Sequence, residues 1–263
     1  MCILFLAVNQ HPRYPLIIAA NRDEFYARPT ATSHFWPSQP NMLAGQDLEA
    51  GGTWMGMNTE GRFAALTNIR APSPPRIESR TRGELVTQFI EEDISDACYA
   101  ERLRANHNRY RGYNLLFGQW NNLQVYNNHL NRLDKVGNGY HGLSNAHFNA
   151  PWPKLAFGKA QLQHICEQSN EIDLDALFAL MRNEDKAPDN ALPDTGIPFE
   201  KEKQLSSVFI NIPGYGTRGT TILTVDHAGH VSWCERVYDE NGEQASQECF
   251  EFKLTTSKMA LSA

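Results

Sequence analysis

The chain has 263 residues, 41% of them hydrophobic, and its 30 acidic and 24 basic side chains give a formal net charge of −6. This length and apolar content support a substantial core, and the simplest organisation is one domain over residues 1–263. A mildly acidic protein gains nothing from a phosphate backbone, so we expect no nucleic-acid partner.

The first ten residues, MCILFLAVNQ, are apolar but lack the basic flank and cleavage site of a signal peptide, and the run is too short to span a bilayer. We therefore expect no transmembrane segment. The cysteines are an odd set without CxxC spacing, which argues against a disulfide framework and against a zinc ribbon. They are Cys2, Cys98, Cys166, Cys234 and Cys249. Together these features predict a reduced, cytoplasmic protein.

Short apolar runs bounded by turn residues predict strands near both ends of the chain, beginning with Ile3–Val8 and Leu16–Ala20. Two hairpins are predicted, each closed by a loop that contains Gly. They pair 53–57 with 62–67, and 220–225 with 230–235. Further strands are predicted at 113–117, 123–126, 141–143, 207–212 and 248–252.

Helical patterning is confined to the middle of the chain. It predicts a helix carrying Leu85, Phe89 and Ile90, a helix over 95–106, another over 153–168, and a fourth capped by Asp173. Strands at both ends with helices between them indicate an α+β fold in which helices cover sheet faces. The polar stretch 183–204 is predicted to be a loop, either a substrate lid or a surface insertion.

Cys2 is the candidate nucleophile. Initiator Met is normally removed when the next residue is small, and loss of Met1 would leave a cysteine with a thiol and a free α-amine. The reference pKa of such an amine is about 7.7–8.0, so it is partly neutral at physiological pH and accepts a proton. Nucleophile and base then belong to one residue, as in N-terminal threonine and cysteine hydrolases. By position alone, Cys2 is more typical of a small apolar residue that opens a buried strand.

Four polar residues, Asn21–Glu24, follow the predicted strand Leu16–Ala20. Polar groups at the end of a buried strand are costly unless they are paired or used. If this strand pairs with the opening strand, Asp23 can bind the ammonium or thiol proton of Cys2, and Arg22 can stabilise a thiolate. A surface turn with an internal salt bridge explains the same residues equally well.

Three further polar clusters lie at strand ends, namely 67–70, 144–145 and 215–221. An Asn amide can donate to a developing oxyanion, and an Arg near a cysteine lowers the pKa of the thiol. Each cluster alone is also typical of a turn. Their occurrence together with Cys2 is what favours a catalytic site.

Residues 19–30, AANRDEFYARPT, closely resemble the signature of the NRDE family, the family of the eukaryotic transport and Golgi organisation protein. Four other segments resemble that family's blocks in the same order, so the resemblance covers nearly the whole chain. They are 51–58 (GGTWMGMN), 66–70 (LTNIR), 142–145 (GLSN) and 215–221 (YGTRGTT). Within these segments we expect the ligand to be bound by Asn21, Arg22, Glu24, Trp54 and Arg70.

A more distant resemblance is to the choloylglycine and penicillin V acylases, which are N-terminal-nucleophile hydrolases. This resemblance implies that Cys2 is both nucleophile and α-amine base and that Asp23 orients it. It also implies that Asn68 and Asn145 are oxyanion donors or orienters. Arg218 would then tune the thiolate.

The acylase resemblance implies a four-layer αββα sandwich, which agrees with the α+β pattern of predicted elements. One position departs from the acylase pattern. An Arg precedes the Asn-x-Asp segment of the acylases, whereas this chain has Ala20 there and Arg22 in the middle position. Either Arg22 substitutes from a different angle, or the chemistry differs or is lost.

Three functions remain in competition. The first is an N-terminal-cysteine amidohydrolase that cleaves a linear carbon–nitrogen bond of a small-molecule amide and needs no cofactor or metal. The second, implied by the NRDE resemblance, is a protein that binds and hands on haem, a lipid or an acyl-CoA without catalysis. The nine His and five Cys include no CxxCH motif and no compact His pair, so no haem ligand is predicted. The third is a scaffold that has lost catalysis and whose tryptophans contact partner proteins. The sequence predicts neither the substrate nor the oligomeric state.

Overall fold

The structure is a computed structural model that describes residues 2–71 and 80–255; Met1, whose removal the sequence predicts, lies outside them. The strands are β1 Cys2–Val8, β2 Leu16–Phe25, β3 Thr30–Trp36, β4 Gln39–Asp47, β5 Met55–Asn58, β6 Arg62–Asn68, β7 Tyr113–Gln119, β8 Asn122–Asn127, β9 Arg132–Lys135, β10 Gly139–Leu143, β11 Asn211–Ile212, β12 Tyr215–Val225, β13 His230–Tyr238 and β14 Gln244–Lys253. The helices are α1 Gly83–Glu91, α2 Asp96–Ala105, α3 Pro153–Gln168, α4 Leu174–Met181 and α5 Phe199–Gln204.

Two antiparallel sheets are stacked face to face. The first has the order β10-β1-β2-β12-β13-β14, with β11 paired to β12, and the second runs from β3 to β9 in chain order. Apolar side chains such as Leu4, Leu116 and Trp233 fill the space between the sheets. Helices α1 and α2 cover the outer face of the second sheet, and α3 and α4 cover the outer face of the first. The predicted four-layer αββα sandwich is confirmed.

The strongest helix predictions are confirmed. Helix α3 has the predicted bounds and begins with Pro153, whose fixed φ suits a first helical position. The carboxylate of Asp173 caps α4 by accepting from the Ala176 N–H at 3.0 Å. Helix α3 also approaches β1 closely, since a Cβ on Gly158 would lie 2.0 Å from Cζ of Phe5. This contact fixes the strand that begins with the candidate nucleophile.

Strand β2 is longer than predicted and continues through the NRDE segment to Phe25. The reason is that β12 begins at Tyr215, so its first residues supply backbone partners for this part of β2. Asn21–Glu24 therefore lie within a strand instead of after it. Their side chains alternate between the two faces of the first sheet, which separates their roles.

Strands β3, β4 and β9 were not predicted, and the strand expected over 207–212 shortens to β11. The pairing of β3 with β4 shifts register twice, between Ala31 and His34 and between Phe35 and Trp36. Such bulges break the two-residue alternation from which strands are recognised in a sequence. Sequence periodicity is therefore a poor guide to this edge of the second sheet.

The polar stretch 183–204 is tied to the body of the protein and contains α5. Glu202 on this helix is 3% exposed, and its carboxylate lies 2.5 Å from Nη1 of Arg70. No described residue of the stretch lines the cavity that contains Cys2. Its action as a lid stays a prediction.

One cysteine pair corrects the expectation of a fully reduced chain. Cys234 and Cys249 lie opposite each other on β13 and β14, 4.2 Å apart at Cα, and form a disulfide. The expectation was wrong because sequence spacing carries no information on which cysteines face each other across a ladder. Cys2, Cys98 and Cys166 are free. Within residues 2–71 and 80–255, no helix is long and apolar enough to cross a membrane.

Candidate active site

The pairing of β1 with β2 places Cys2 directly opposite Arg22. Residues opposite each other in an antiparallel ladder project their side chains from the same face, here the face toward the second sheet. Arg22 is only 6% exposed, and its guanidinium carbon lies 4.2 Å from the ring centroid of Trp54. Trp54 precedes β5, so the second sheet supports the side chain that lies beside Cys2.

A cavity of about 560 Å³ opens at this end of the sandwich. Both Cys2 and Arg22 line it, as does Asn68, the last residue of β6. The site is therefore built from strands of both sheets. The remaining lining residues are Asp23, Glu24, Phe25, Arg28, Asp47, Ala50, Gly52, Thr53, Trp54, Leu66, Arg80, Thr81, Arg82, Gly83, Arg111 and Tyr215.

Asp23 is 2% exposed and accepts hydrogen bonds from two neighbouring hydroxyls. Thr217 donates to its Oδ1 at 2.8 Å, and the Tyr215 hydroxyl donates to its backbone oxygen at 3.1 Å. Burial raises the pKa of the Asp23 carboxyl, while the positive charges of Lys154 and Arg70 oppose that rise. The negative charge of this buried carboxyl acts on the Cys2 thiol.

The environment of Cys2 favours the neutral thiol. Burial raises its pKa and the negative charge of Asp23 raises it further, while the positive charge of Arg22 and the Asp23 backbone N–H lower it. A neutral thiol is a weak nucleophile and needs a base at the moment of attack. A neutral thiol at this position therefore suits a mechanism in which a base on the same residue, the free α-amine, accepts the thiol proton.

Asn68 and Asn145 are neighbours in the structure, but only Asn68 lines the cavity. The Asn145 side chain donates from Nδ2 to the backbone oxygen of Asn68 at 2.9 Å, and its backbone oxygen accepts from the Arg70 N–H at 2.8 Å. Ser144 donates to the backbone oxygen of Cys2 at 3.3 Å and to Oδ1 of Asn145 at 3.1 Å. Asn145 thus fixes the backbone next to the cavity, whereas Asn68 itself faces it.

Arg218 is not brought to Cys2. It is the bulged residue between Thr217 and Gly219, and it shares a separate small hollow with Arg22. Its Nη1 donates to three backbone oxygens of the turn after β2, at 3.0–3.1 Å. The arginine whose charge acts on the Cys2 thiol is Arg22.

Of the other predicted binding residues, two line the cavity and two lie outside it. Glu24 and Trp54 line the cavity. Asn21 projects toward the helices, where it donates to the backbone oxygens of Met181 and Val208 at 2.9 and 3.1 Å. Arg70 has a side chain 5% exposed that pairs with Glu202 outside the cavity. Asn21 and Arg70 therefore make structural contacts outside the cavity and do not line it.

Sequence reasoning missed Lys154, which is 6% exposed on α3 and donates to the backbone oxygen of Leu205 at 3.0 Å. Burial lowers its pKa to about 7, and Arg70 adds to this effect while Asp23 and Glu202 oppose it. A signal was present, because Lys154 precedes Gly158 and Leu162 by four and eight residues on the buried face. The position of Lys154 on the same helical stripe as these buried residues indicates a buried cation.

The structure of the C2A mutant of a conjugated bile acid hydrolase from Clostridium perfringens resembles this fold. The TM-score is 0.50 at 10% sequence identity, and the alignment covers 100% of both chains. Likeness at this identity concerns the fold alone. The chain thus has the αββα fold of the N-terminal-nucleophile hydrolases.

The model of the family Transport and Golgi organisation 2 matches residues 1–240, and the chain belongs to this family. The Transport and Golgi organization protein 2 homolog of Bos taurus is 38% identical over 256 residues, covering 90% of this chain and 92% of the relative. The homolog of Homo sapiens is 36% identical over 275 residues, covering 97% and 99%. The family predicted from the NRDE segment is confirmed.

Proposed function

We propose that the protein is an N-terminal-cysteine amidohydrolase that cleaves a linear carbon–nitrogen bond of a small-molecule amide. The observation that carries this proposal is the position of Cys2, which opens β1 at a cavity wall, opposite Arg22 and beside the buried Asp23. A structural cysteine that starts a strand needs neither a cavity nor a buried cation next to it.

The chemistry follows from these groups once Met1 is removed. The Cys2 sulfur attacks the amide carbonyl carbon, and the thiol proton passes to the free α-amine, which Asp23 orients. Donors near Asn68 stabilise the oxyanion of the tetrahedral intermediate. The carbon–nitrogen bond breaks as the α-ammonium returns its proton to the leaving amine. Water then attacks the thioester carbon, the acid leaves, and the thiol is restored.

Site-resolved alkylation of the untagged protein at neutral pH tests the proposal, with Cys98 as the internal control. Cys98 is exposed and Cys2 is partly buried, so accessibility alone makes Cys98 the faster thiol. Because the free α-amine takes the thiol proton as the sulfur attacks, we expect Cys2 to react at least about tenfold faster than Cys98, although burial raises the pKa of its thiol. We also expect mass spectrometry to find Met1 absent. Retention of Met1, or a Cys2 that is slower than Cys98, would overturn the proposal.

A second measurement addresses turnover itself. Incubation with a library of N-acyl amides is expected to add an acyl mass to the peptide that contains Cys2, and the thioester should disappear on standing in water. The Cys2→Ala variant is the matched control and should show no adduct. Adducts at Cys98 or Cys166 of equal amount would indicate nonspecific acylation.

A second candidate function is ligand handling without catalysis, which the names of the transport-related relatives favour. Haem, a lipid or an acyl-CoA would then occupy the cavity beside Cys2. Titration with haem, followed by visible absorption, distinguishes this function. A Soret shift at micromolar protein supports it, and an unchanged spectrum removes haem from consideration.

A further inference from the structure

The cavity beside Cys2 is rich in arginine although the protein as a whole is acidic. Five arginines line it against three acidic residues. Two of the arginines are neutralised within the protein. Arg28 pairs with Asp47 at 2.7 Å, and Arg80 pairs with Glu84 at 2.7 Å. The other three, Arg22, Arg82 and Arg111, have no ion-pair partner among residues 2–71 and 80–255.

Arg22 is the most unusual of these three. It is 6% exposed, and within the described part of the chain its buried Nη1 has no hydrogen-bond partner. Its guanidinium carbon lies 4.2 Å from the ring centroid of Trp54, and its positive charge also acts on the buried carboxyl of Glu235 without forming an ion pair among the described residues. A buried guanidinium nitrogen without an acceptor is costly on general grounds, and a ligand in the cavity can supply the missing acceptor.

Arg82 is held at the cavity by backbone contacts. A Cβ on Gly52 would lie 2.6 Å from the carbonyl carbon of Gly83, so only glycine lets the start of α1 press against this loop. The Arg82 side chain then reaches across and donates to the backbone oxygen of Gly112 at 3.2 Å. Burial lowers the pKa of Arg82, and the nearby positive charge of Arg111 lowers it further. Two cations brought together in this way favour an anion between them.

The acidic residues of the cavity do not satisfy these arginines. Asp47 is committed to Arg28, and Asp23 accepts from Thr217. Glu24 accepts at 2.9 Å from the N–H of its own neighbour, Phe25. Its charge attracts Arg82 without an ion pair among the described residues. Glu24 and Asp23, whose negative charge acts on Cys2, are the local charges that oppose anion binding.

We propose that Arg22, Arg82 and Arg111 form an anion subsite, and that the molecule which reaches Cys2 carries a carboxylate or phosphate group. Arginine presents paired donors that match the oxygens of both groups. This inference rests on the proposed hydrolase function. The subsite restricts the substrates to anionic amides whose negative group lies on the arginine side of the cavity. Neutral amides lack the group that satisfies the arginines.

Two alkylating agents that differ by one charge test the subsite. Iodoacetate is anionic and iodoacetamide is neutral, and both alkylate the sulfur with loss of iodide. We expect the rate ratio of iodoacetate to iodoacetamide at Cys2 to fall about tenfold in Arg82→Gln and in Arg111→Gln. Arg109→Gln is the matched control, because Arg109 is exposed, two residues from Arg111, and outside the cavity. A ratio unchanged by the first two variants, or lowered equally by the control, overturns the subsite.

Calorimetry on the Cys2→Ala variant separates this inference from the proposed function, because the variant has no thiol. Inorganic phosphate and glutarate are titrated in separate arms. Binding of phosphate alone assigns a phosphate group, binding of glutarate alone assigns a carboxylate, and Arg111→Gln should weaken either about tenfold. If neither anion binds while Cys2 of the wild type alkylates rapidly, the subsite fails and the hydrolase stands. If the anions bind while Cys2 alkylates no faster than Cys98, the hydrolase fails and the subsite stands.

Discussion

Arg22 lies opposite Cys2 in the ladder between β1 and β2, whereas Ala20, two residues earlier, lies opposite Leu4. Positions two apart on a strand share one face and are about 6.8 Å apart. An arginine at Ala20, where the acylase pattern places it, would therefore project from the same face as Arg22. The chain keeps a cation on this face of the sheet and places it two residue pairs along the ladder, directly opposite Cys2.

The first prediction concerns the effect of Arg22 on the thiol. Because the positive charge of Arg22 lowers the pKa of Cys2, Arg22→Gln should move the alkylation rate profile of Cys2 to higher pH. The rate with iodoacetamide at neutral pH should fall about tenfold for each unit of pKa shift. Arg22→Lys keeps the charge and should recover part of the rate. The same profile for Arg22→Gln and wild type would remove Arg22 from thiol activation.

The second prediction separates Arg218 from Arg22. Arg218 donates to three backbone oxygens of the turn after β2, so Arg218→Gln should lower the free energy of unfolding by about 1–3 kcal/mol. Urea denaturation followed by circular dichroism measures this loss. The pH profile of Cys2 alkylation should stay as in wild type. A profile shifted as far as that of Arg22→Gln would restore the thiolate role that the acylase resemblance implies for Arg218.

Local sequence signals predicted the parts of the fold that depend on local chemistry. The Asp173 cap and the Pro153 start of a helix are set by residues within one turn, and both are found in the structure. The length of β2 depends on β12, nearly two hundred residues away, so no local pattern ends that strand at Phe25. The disulfide and the placement of Arg82 and Arg111 in the cavity also depend on contacts between residues distant in sequence, so local patterns did not predict them. Arg82 and Arg111 line the same cavity as Cys2, although they lie 80 residues or more from it in the sequence.

The third prediction concerns the contact between α3 and β1. In a helix interior, Gly→Ala normally stabilises by roughly 1 kcal/mol. At Gly158 a Cβ would meet Phe5 at 2.0 Å, so Gly158→Ala should instead destabilise by about 1–3 kcal/mol. Gly137→Ala is the control, because a Cβ there has no heavy atom within 4 Å. Equal unfolding midpoints for the two variants would show that α3 moves away from β1 at little cost.

The fourth prediction concerns the disulfide between Cys234 and Cys249. A bond that closes a loop of this size, with a sequence separation of 15, stabilises by roughly 3 kcal/mol in the chain-entropy description. Cys249→Ser should therefore lower the unfolding midpoint under oxidising conditions and abolish its dependence on dithiothreitol. Peptide mass spectrometry without reductant is the direct check. Two free thiols in freshly purified, unreduced protein would contradict the pairing.

The last prediction concerns Lys154 and the pH dependence of stability. Its pKa is lowered to about 7 in the folded protein, against an ordinary value of 10.5 that applies to the unfolded chain. Between these values the unfolded chain binds more protons, so the contribution of Lys154 to the free energy of unfolding rises with pH. The rise is at most about 1.4 kcal/mol per pH unit. Below pH 7 both states are protonated, and the cost of the buried charge is fully present.

Lys154→Met removes this dependence. The difference in unfolding free energy between wild type and Lys154→Met, measured in urea from about pH 6 to pH 9.5, should change in favour of wild type only above about pH 7. Lys159→Met, on the same helix but partly exposed, should show no such change. Asp23, Arg70 and Glu202 are the charged groups that act on Lys154. A difference that is flat across the whole range would mean that Asp23 and Glu202 keep Lys154 protonated, making it a permanent cation behind the Cys2 site.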